Sequence, residues 1–211
     1  MFHHYRWLVL DIQDNLMLIV YDRVMHPHHY RDDVVEDGTW ETSSIRYFLN
    51  NDFYHTIPRE LRNRISEVEL YNEDNPWWGT PGGNSTLDRI FILSASEVLR
   101  YFGDSGMFER GADRSERGFG IVNEREFGIS HQGIHDQYSR NRVARIAWGA
   151  RAGERAAWWL RTPGFSPFPL NPATSLVGEF GDFNLMGITK GHTSRVMRIG
   201  VRPAMWIYIN D

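Results

Sequence analysis

Three groups of side chains have the types and spacing that metal chemistry uses. His131 and His135 stand four apart, the spacing at which a helix presents two imidazoles to zinc. Gln132 occupies the place of the glutamate that would act as base, and Gly133 weakens the helix such a pair needs. His26-Pro27-His28-His29 is a second transition-metal candidate. Asn72, Asp74, Asn75, Asn84 and Asp88 offer the oxygen ligands that calcium takes from an irregular loop. Their spacing departs from the helix–loop–helix calcium pattern, and turns require Asn, Asp and Gly in any case. Solvated or hydrogen-bonded histidines and turn-forming amides are the plainer readings. No cofactor is expected, with calcium near Asn72–Asp88 as a weak candidate.

Catalytic motifs are absent. There is no G-x-S-x-G elbow and no phosphate-binding loop, and Gly118-Phe119-Gly120 is a fragment of a dinucleotide fingerprint. The chain has no cysteine, which removes disulfides, thiolate metal sites and cysteine nucleophiles. The carboxylate pairs Asp32–Asp33 and Glu36–Asp37 lie in a polar stretch and read as a solvated face. The sequence therefore predicts a protein that is not an enzyme.

Charge points away from a polyanionic partner. The net charge is −4 over 211 residues. Between 109 and 161 there are ten arginines, but seven acids are interspersed among them. Interspersed signs make ion pairs, whereas nucleic-acid affinity needs uncompensated cations. No nucleic-acid partner is expected. No apolar run approaches the ~18 residues of a membrane helix. Met1 to Arg6 does not read as a signal peptide, so an export signal would lie outside this sequence.

The elements that must position any site read as α+β. Trp7–Ile12 and Leu16–Tyr21 form a hairpin around Gln13-Asp14-Asn15. Ile45, Phe48 and Leu49 fall at helical spacing over 43–50, with Thr42 and Ser43 as caps. Pro58 opens a second short helix with Leu61 and Ile65 on one face. Asn72 to Asp88 is turn-rich, and Arg89–Leu93 reads as a buried strand. Ser94 and Glu97 make a capping box for a helix burying Val98, Leu99 and Phe102. From 103 to 155 the pattern is weak, with a helix placed near Arg142–Trp148. Trp158–Leu160 and Val201–Ile209 resume strand character. Apolar strands at both ends would pair and bring the termini together in one domain, 1–211.

Five motifs stand in order: WLVLDI at 7–12, TWETSSIRYFLNNDFY at 39–54, NEDNPWWGTPGGNSTLDRIFILS at 72–94, WWLRTPG at 158–164 and GVRPAMWI at 200–207. The series resembles a bacterial and phage-associated family of uncharacterised domains, from about Trp7 to the C-terminus except over 103–155. That family is similar to C-type-lectin-like and formylglycine-generating-enzyme-like folds. The resemblance implies two main helices packed on a small mixed or antiparallel sheet that joins the termini, with long irregular loops. Some such domains are variable proteins of diversity-generating retroelements, in which a rigid scaffold carries a C-terminal segment that tolerates massive substitution.

By that analogy a loop surface over about 158–205 would meet a protein or glycan ligand at a phage or bacterial surface, within a longer or exported chain. Its ligand-binding residues would be Trp159, Arg161, Phe165, Ser166, Phe168, Leu170, Asn171, Phe180, Asp182, Asn184, His192 and Arg195. Trp158, Trp159, Arg161 and Pro163 also have a structural reading: alternate strand residues point to opposite faces, so a tryptophan becomes core and Arg161 pairs with an internal carboxylate. The same reading applies to Arg202 and Pro203. Two other functions remain: a formylglycine-generating-like enzyme using histidines and carboxylates in place of cysteines with a bound metal, and a structural interaction domain.

Overall fold

The computed structural model describes residues 6–25, 39–118, 126–130, 132–167, 172–189 and 199–209. The chain opens with β1 (Trp7–Gln13) and β2 (Leu16–Tyr21), an antiparallel hairpin. Its turn is Asp14-Asn15, with Asp14 at φ +53°, a left-handed conformation that Asp tolerates better than most residues. The apolar run of β2 is buried on both faces from Leu18 to Tyr21.

Helix α1 (Ser44–Phe48) begins at Ser43, whose hydroxyl accepts from the Arg46 amide at 3.1 Å. It continues through a π-helical turn, Leu49–Phe53, into α2 (Tyr54–Thr56). Ile45, Leu49 and Phe53 form its buried stripe. After Pro58 comes α3 (Arg59–Arg62), which is shorter than its sequence pattern suggests. Leu61 is 38% exposed, and Ile65 belongs to β3 (Ile65–Ser66) rather than to a helical face. Strands β4 (Val68–Leu70) and β5 (Thr86–Asp88) pair with each other across the turn-rich segment.

Arg89–Leu93 is not a regular strand. Residues 90–93 are buried, but its ladder is a single bridge from Phe91 to Ala204, because Asn50 takes the amides of Arg89 and Ile90. The capping box at Ser94 and Glu97 is present and opens α4 (Ala95–Phe102). Next come α5 (Met107–Ala112), β6 (Gly128–Ile129) and β7 (Gly133–His135). The helix expected near Arg142–Trp148 lies earlier, as α6 (Ser139–Arg142), and Val143 ends it before β8 (Ala144–Arg145). β-branched Val143 and Ile146 suit an extended chain better than a helix.

The remainder is β9 (Arg155–Pro163), β10 (Ala173–Val177), β11 (Phe183–Thr189), β12 (Ile199–Gly200) and β13 (Ala204–Tyr208). One sheet has the order β1-β2-β13-β3, all antiparallel, so the last strand lies beside the first hairpin. A larger mixed sheet runs β12-β9-β10-β11-β7-β6, with β8 paired to β9 and β12 parallel to it. The architecture is α+β with few helices. No helix among the described residues is long and apolar enough to cross a membrane.

Candidate functional site

Motif residues converge on three buried charge centres. Asp88, almost inaccessible, accepts from Trp40 Nε1 at 2.9 Å, Arg46 Nε at 2.7 Å and Thr86 Oγ1 at 2.7 Å. Hydrogen bonds to a charged group contribute about 1.5–3 kcal/mol each, so this node fastens α1 to β5. Arg161, in β9, meets Glu97 with both terminal nitrogens and donates to the Ile92 carbonyl at 3.1 Å. Glu97 also accepts from the Ser94 amide at 2.8 Å, so one carboxylate caps α4 and ties it to β9. Arg202 is buried between Phe102 and Trp158, each ring centroid 5.0 Å away, and donates from Nε to the Tyr21 carbonyl at 2.8 Å. Burial brings its pKa down to about 10, which leaves it cationic at neutral pH.

Trp159 and Arg161 therefore do not belong to an exposed ligand face. They are 2% and 5% accessible. The physical reason is the central place of β9, flanked by β12 and β10 and covered by α4 through the Arg161–Glu97 pair. The structural reading of the WWLRTPG motif put one tryptophan in the core and Arg161 on an internal carboxylate; Arg161 is so paired, and both Trp158 and Trp159 are buried.

Beyond Pro163 the chain turns outward. Gly164 passes so close to β11 that an added Cβ would stand 2.6 Å from the Met186 carbonyl oxygen. The Phe165 amide donates to that same oxygen at 2.7 Å. Held this way, the half-buried Phe165 ring stacks on Trp78, with centroids 4.5 Å apart and planes 15° apart. Trp78 comes from the turn-rich segment, and Asn75 joins the two. The fully buried Asn75 side chain donates to the carbonyls of Pro163 at 2.7 Å and Leu185 at 2.8 Å. Its Oδ1 accepts the amides of Trp77 and Trp78 at 2.9 and 3.2 Å.

Arginine completes this cluster. The Arg117 guanidinium lies 4.4 Å from the Trp78 ring centroid and 5.2 Å from that of Trp77, a cation–π arrangement. Arg117 is buried, and burial, with the nearby Arg114 charge, lowers its pKa. Its Nη1 and the Trp78 Nε1 have no hydrogen-bond partner among the described residues.

A family model described as "Domain of unknown function (DUF6273)" matches residues 14–209. The chain belongs to the DUF6273 family. No curated protein and no solved structure matches it.

In this DUF6273 domain the residues expected to form one ligand face divide between two ends of the large sheet. Phe165 and Ser166 follow β9, where Pro163 pairs with Thr174 and Ala173 pairs with Thr189. Phe180 and Asp182 lie in the β10–β11 connection at the other end of those strands. The five residues of β10, at about 3.3 Å each, separate the ends by roughly 17 Å. Asn184 is in β11 and accepts the Gly187 amide at 2.7 Å. Phe168, Leu170, Asn171, His192 and Arg195 lie outside the described residues, as does the 26–29 histidine cluster.

The loop read as a calcium candidate uses most of its polar side-chain atoms internally, while the buried Asn72 Oδ1 has no partner among the described residues. Asp74 accepts the Gly82 amide at 2.9 Å, Asn72 donates to the Asn84 carbonyl at 2.6 Å, and Asn84 donates to Glu41 at 3.0 Å. No group of three or more His, Cys, Asp or Glu side chains among the described residues is arranged to hold a metal ion. His135 sits in strand β7, and His131 lies outside the described residues. The sequence reading missed Trp78, Arg117 and the bridging role of Asn75. The tandem Trp77-Trp78 after Asn75-Pro76 was the signal available for them.

Proposed function

We propose that this domain is a ligand-binding module of C-type-lectin-like architecture that meets a protein or glycan through the loop end carrying Phe165. The Trp78–Phe165 stack supports this reading most strongly. It places a half-buried aromatic pair at the end of a sheet whose backbone is fixed from both sides by Asn75. Rigid aromatics with adaptable polar neighbours lose little entropy on binding, which makes them effective contact anchors. Arg117 and Trp78 add polar atoms that lack a hydrogen-bond partner among the described residues. Beside them, Ser166 and Pro167 leave the sheet where the expected variable segment begins.

The lectin-like reading draws on the pairing of β13 with β2, which joins the chain ends, and on two helical stretches at 44–56 and 95–102. A phage or bacterial surface is the setting this proposal favours. Its test is a screen of the purified chain against glycan and surface-protein arrays, beside the Trp78→Ala/Phe165→Ala double variant. Specific features bound by the parent and lost in the folded variant support the module. A parent that binds nothing, or a variant that keeps every feature, removes it.

A further inference from the structure

Arg117 is a buried cation without a counter-ion among the described residues. It follows a 3-10 turn, Arg114–Glu116, and is 8% accessible. The neighbouring charge that acts on it is Arg114, of the same sign. The acids of this turn are engaged elsewhere. Glu116 pairs with Arg110 at 3.0 Å, and Asp113 accepts the Ser115 amide at 2.9 Å and its hydroxyl at 2.8 Å. Exposed Glu109 of α5 makes no ion pair with either arginine among the described residues. A desolvated charge with no opposite charge beside it is costly, and the cation–π contacts to Trp77 and Trp78 offset a part of that cost.

The atoms left over are all donors. Arg117 Nη1 and the Trp78 indole N–H are buried and lack a hydrogen-bond partner among the described residues. Neither group can accept a hydrogen bond. A second guanidinium, that of Arg114, lies 5.8 Å from the Trp78 ring centroid. Whatever satisfies these donors therefore brings oxygen lone pairs and negative charge. The cluster is also held in place. Trp77 Nε1 donates to the Phe108 carbonyl at 2.9 Å, and a Cβ at Gly111 would collide with the Trp77 ring, so α5 packs directly on that indole.

Exposure indicates what carries the anion. Trp78 and Phe165 are half-buried, and Arg110, Asp113, Arg114 and Glu116 are exposed around the turn. A stable protein interface takes about 800 Å² per partner around a centre depleted in charge. Half-buried rings beside a charged turn suit a sugar better.

We propose that the Phe165 end binds an acidic glycan, with a carboxylate or sulfate held by Arg117, Arg114 and the Trp78 indole N–H while the sugar ring lies against Phe165. Guanidinium forks match such oxyanions bidentately. This inference rests on the reading of the Phe165 end as the binding face and adds the charge of the ligand to it.

The test is a titration of the isotopically labelled chain with oligogalacturonate and its methyl ester, and with a sulfated galactan oligosaccharide and its desulfated form. The readout is the Trp78 indole N–H resonance, identified by its absence in Trp78→Phe. One or both acids should shift it saturably, and each neutral form should bind at least about tenfold more weakly. The tighter acid names the oxyanion. Arg117→Gln should abolish the preference for acid without lowering the melting temperature. If that variant fails to fold, Arg114→Gln, at an exposed position, should reduce the preference at least about threefold. No response to either acid, equal binding of acid and neutral forms, a Trp78 resonance unmoved by a bound acid, or tighter binding of polyglutamate overturns the proposal. So does a preference that survives the arginine substitution. Neutral-glycan or protein features lost in Trp78→Ala/Phe165→Ala but kept in Arg117→Gln would leave the binding face standing and remove its acidic ligand.

Discussion

The side chain of Asn75 donates to the carbonyl of Pro163 at 2.7 Å, across 88 residues of chain. The same amide reaches Leu185, and its oxygen gathers the amides of Trp77 and Trp78. One buried residue thus sets the position of both rings in the Trp78–Phe165 stack relative to the sheet. Asn75→Ala would leave the Trp77 amide without its acceptor and take one of two donors from each carbonyl, since the Ser175 hydroxyl also reaches Pro163 at 2.9 Å and Leu185 at 3.3 Å. The expected loss is about 1–3 kcal/mol, the cost of one buried orphan with the weakened carbonyls adding to it. Urea unfolding measures it, and tryptophan fluorescence should change with it. A loss under about 1 kcal/mol would show that the bridge is dispensable.

The Arg161–Glu97 pair allows the strand–helix tie to be separated from the helix cap. Glu97→Gln keeps an oxygen for the Ser94 amide but removes the charge facing Arg161. Breaking a buried pair by removing one partner costs about 3–5 kcal/mol, and the partial exposure of Glu97 places this case at the lower end. Arg161→Met should cost a similar amount, and the double variant much less than their sum. A double-mutant cycle in denaturant checks this, and strict additivity would contradict the coupling.

Much of the scaffold is legible in the sequence because its signals are local. The Ser94–Glu97 capping box, the Ser43 cap and the Asp14-Asn15 hairpin each act within a few residues, and each is found where the pattern places it. Arg89–Leu93 reads as a strand from composition, yet Asn50, thirty-nine residues away in sequence from Arg89, takes its amides and leaves one bridge. The site is less legible for the same reason. Nothing local distinguishes Asn75 as a bridge from Asn75 as a turn residue, because Pro163 and Leu185 reach it only through the fold. Trp159 and Arg161 look like surface anchors by type, but β9 is an interior strand. Phe165 and Phe180 fall in one sequence segment and separate because β10 runs between them.

Asp182 gives a pH signature. Burial raises its pKa above the ordinary value, with Glu179 pushing the same way and its own amide, His135 and Arg142 opposing. Ionising this carboxyl is harder in the fold than in the unfolded chain. Between the unfolded pKa, near ~3.9, and the raised folded one, the folded state holds more protons, so stability falls as pH rises through that window and stays lower above it. Asp182→Asn should therefore melt higher than the parent at neutral pH, with the advantage vanishing below the unfolded pKa. Thermal unfolding over a pH series reads this, and parallel profiles for parent and variant would contradict it.

The central claim is that the Phe165 end holds the ligand while the fold does not depend on that ring. Phe165→Ala is the most direct test, since an aromatic stack at a half-buried position contributes about 0.5–1.5 kcal/mol beyond its burial. The measurement is array binding of Phe165→Ala beside the parent, with the melting temperature of each recorded. The account predicts a melting temperature lowered by only a few degrees and loss of the features that the parent binds. Undiminished binding by a folded Phe165→Ala, or collapse of the fold without that ring, would contradict it.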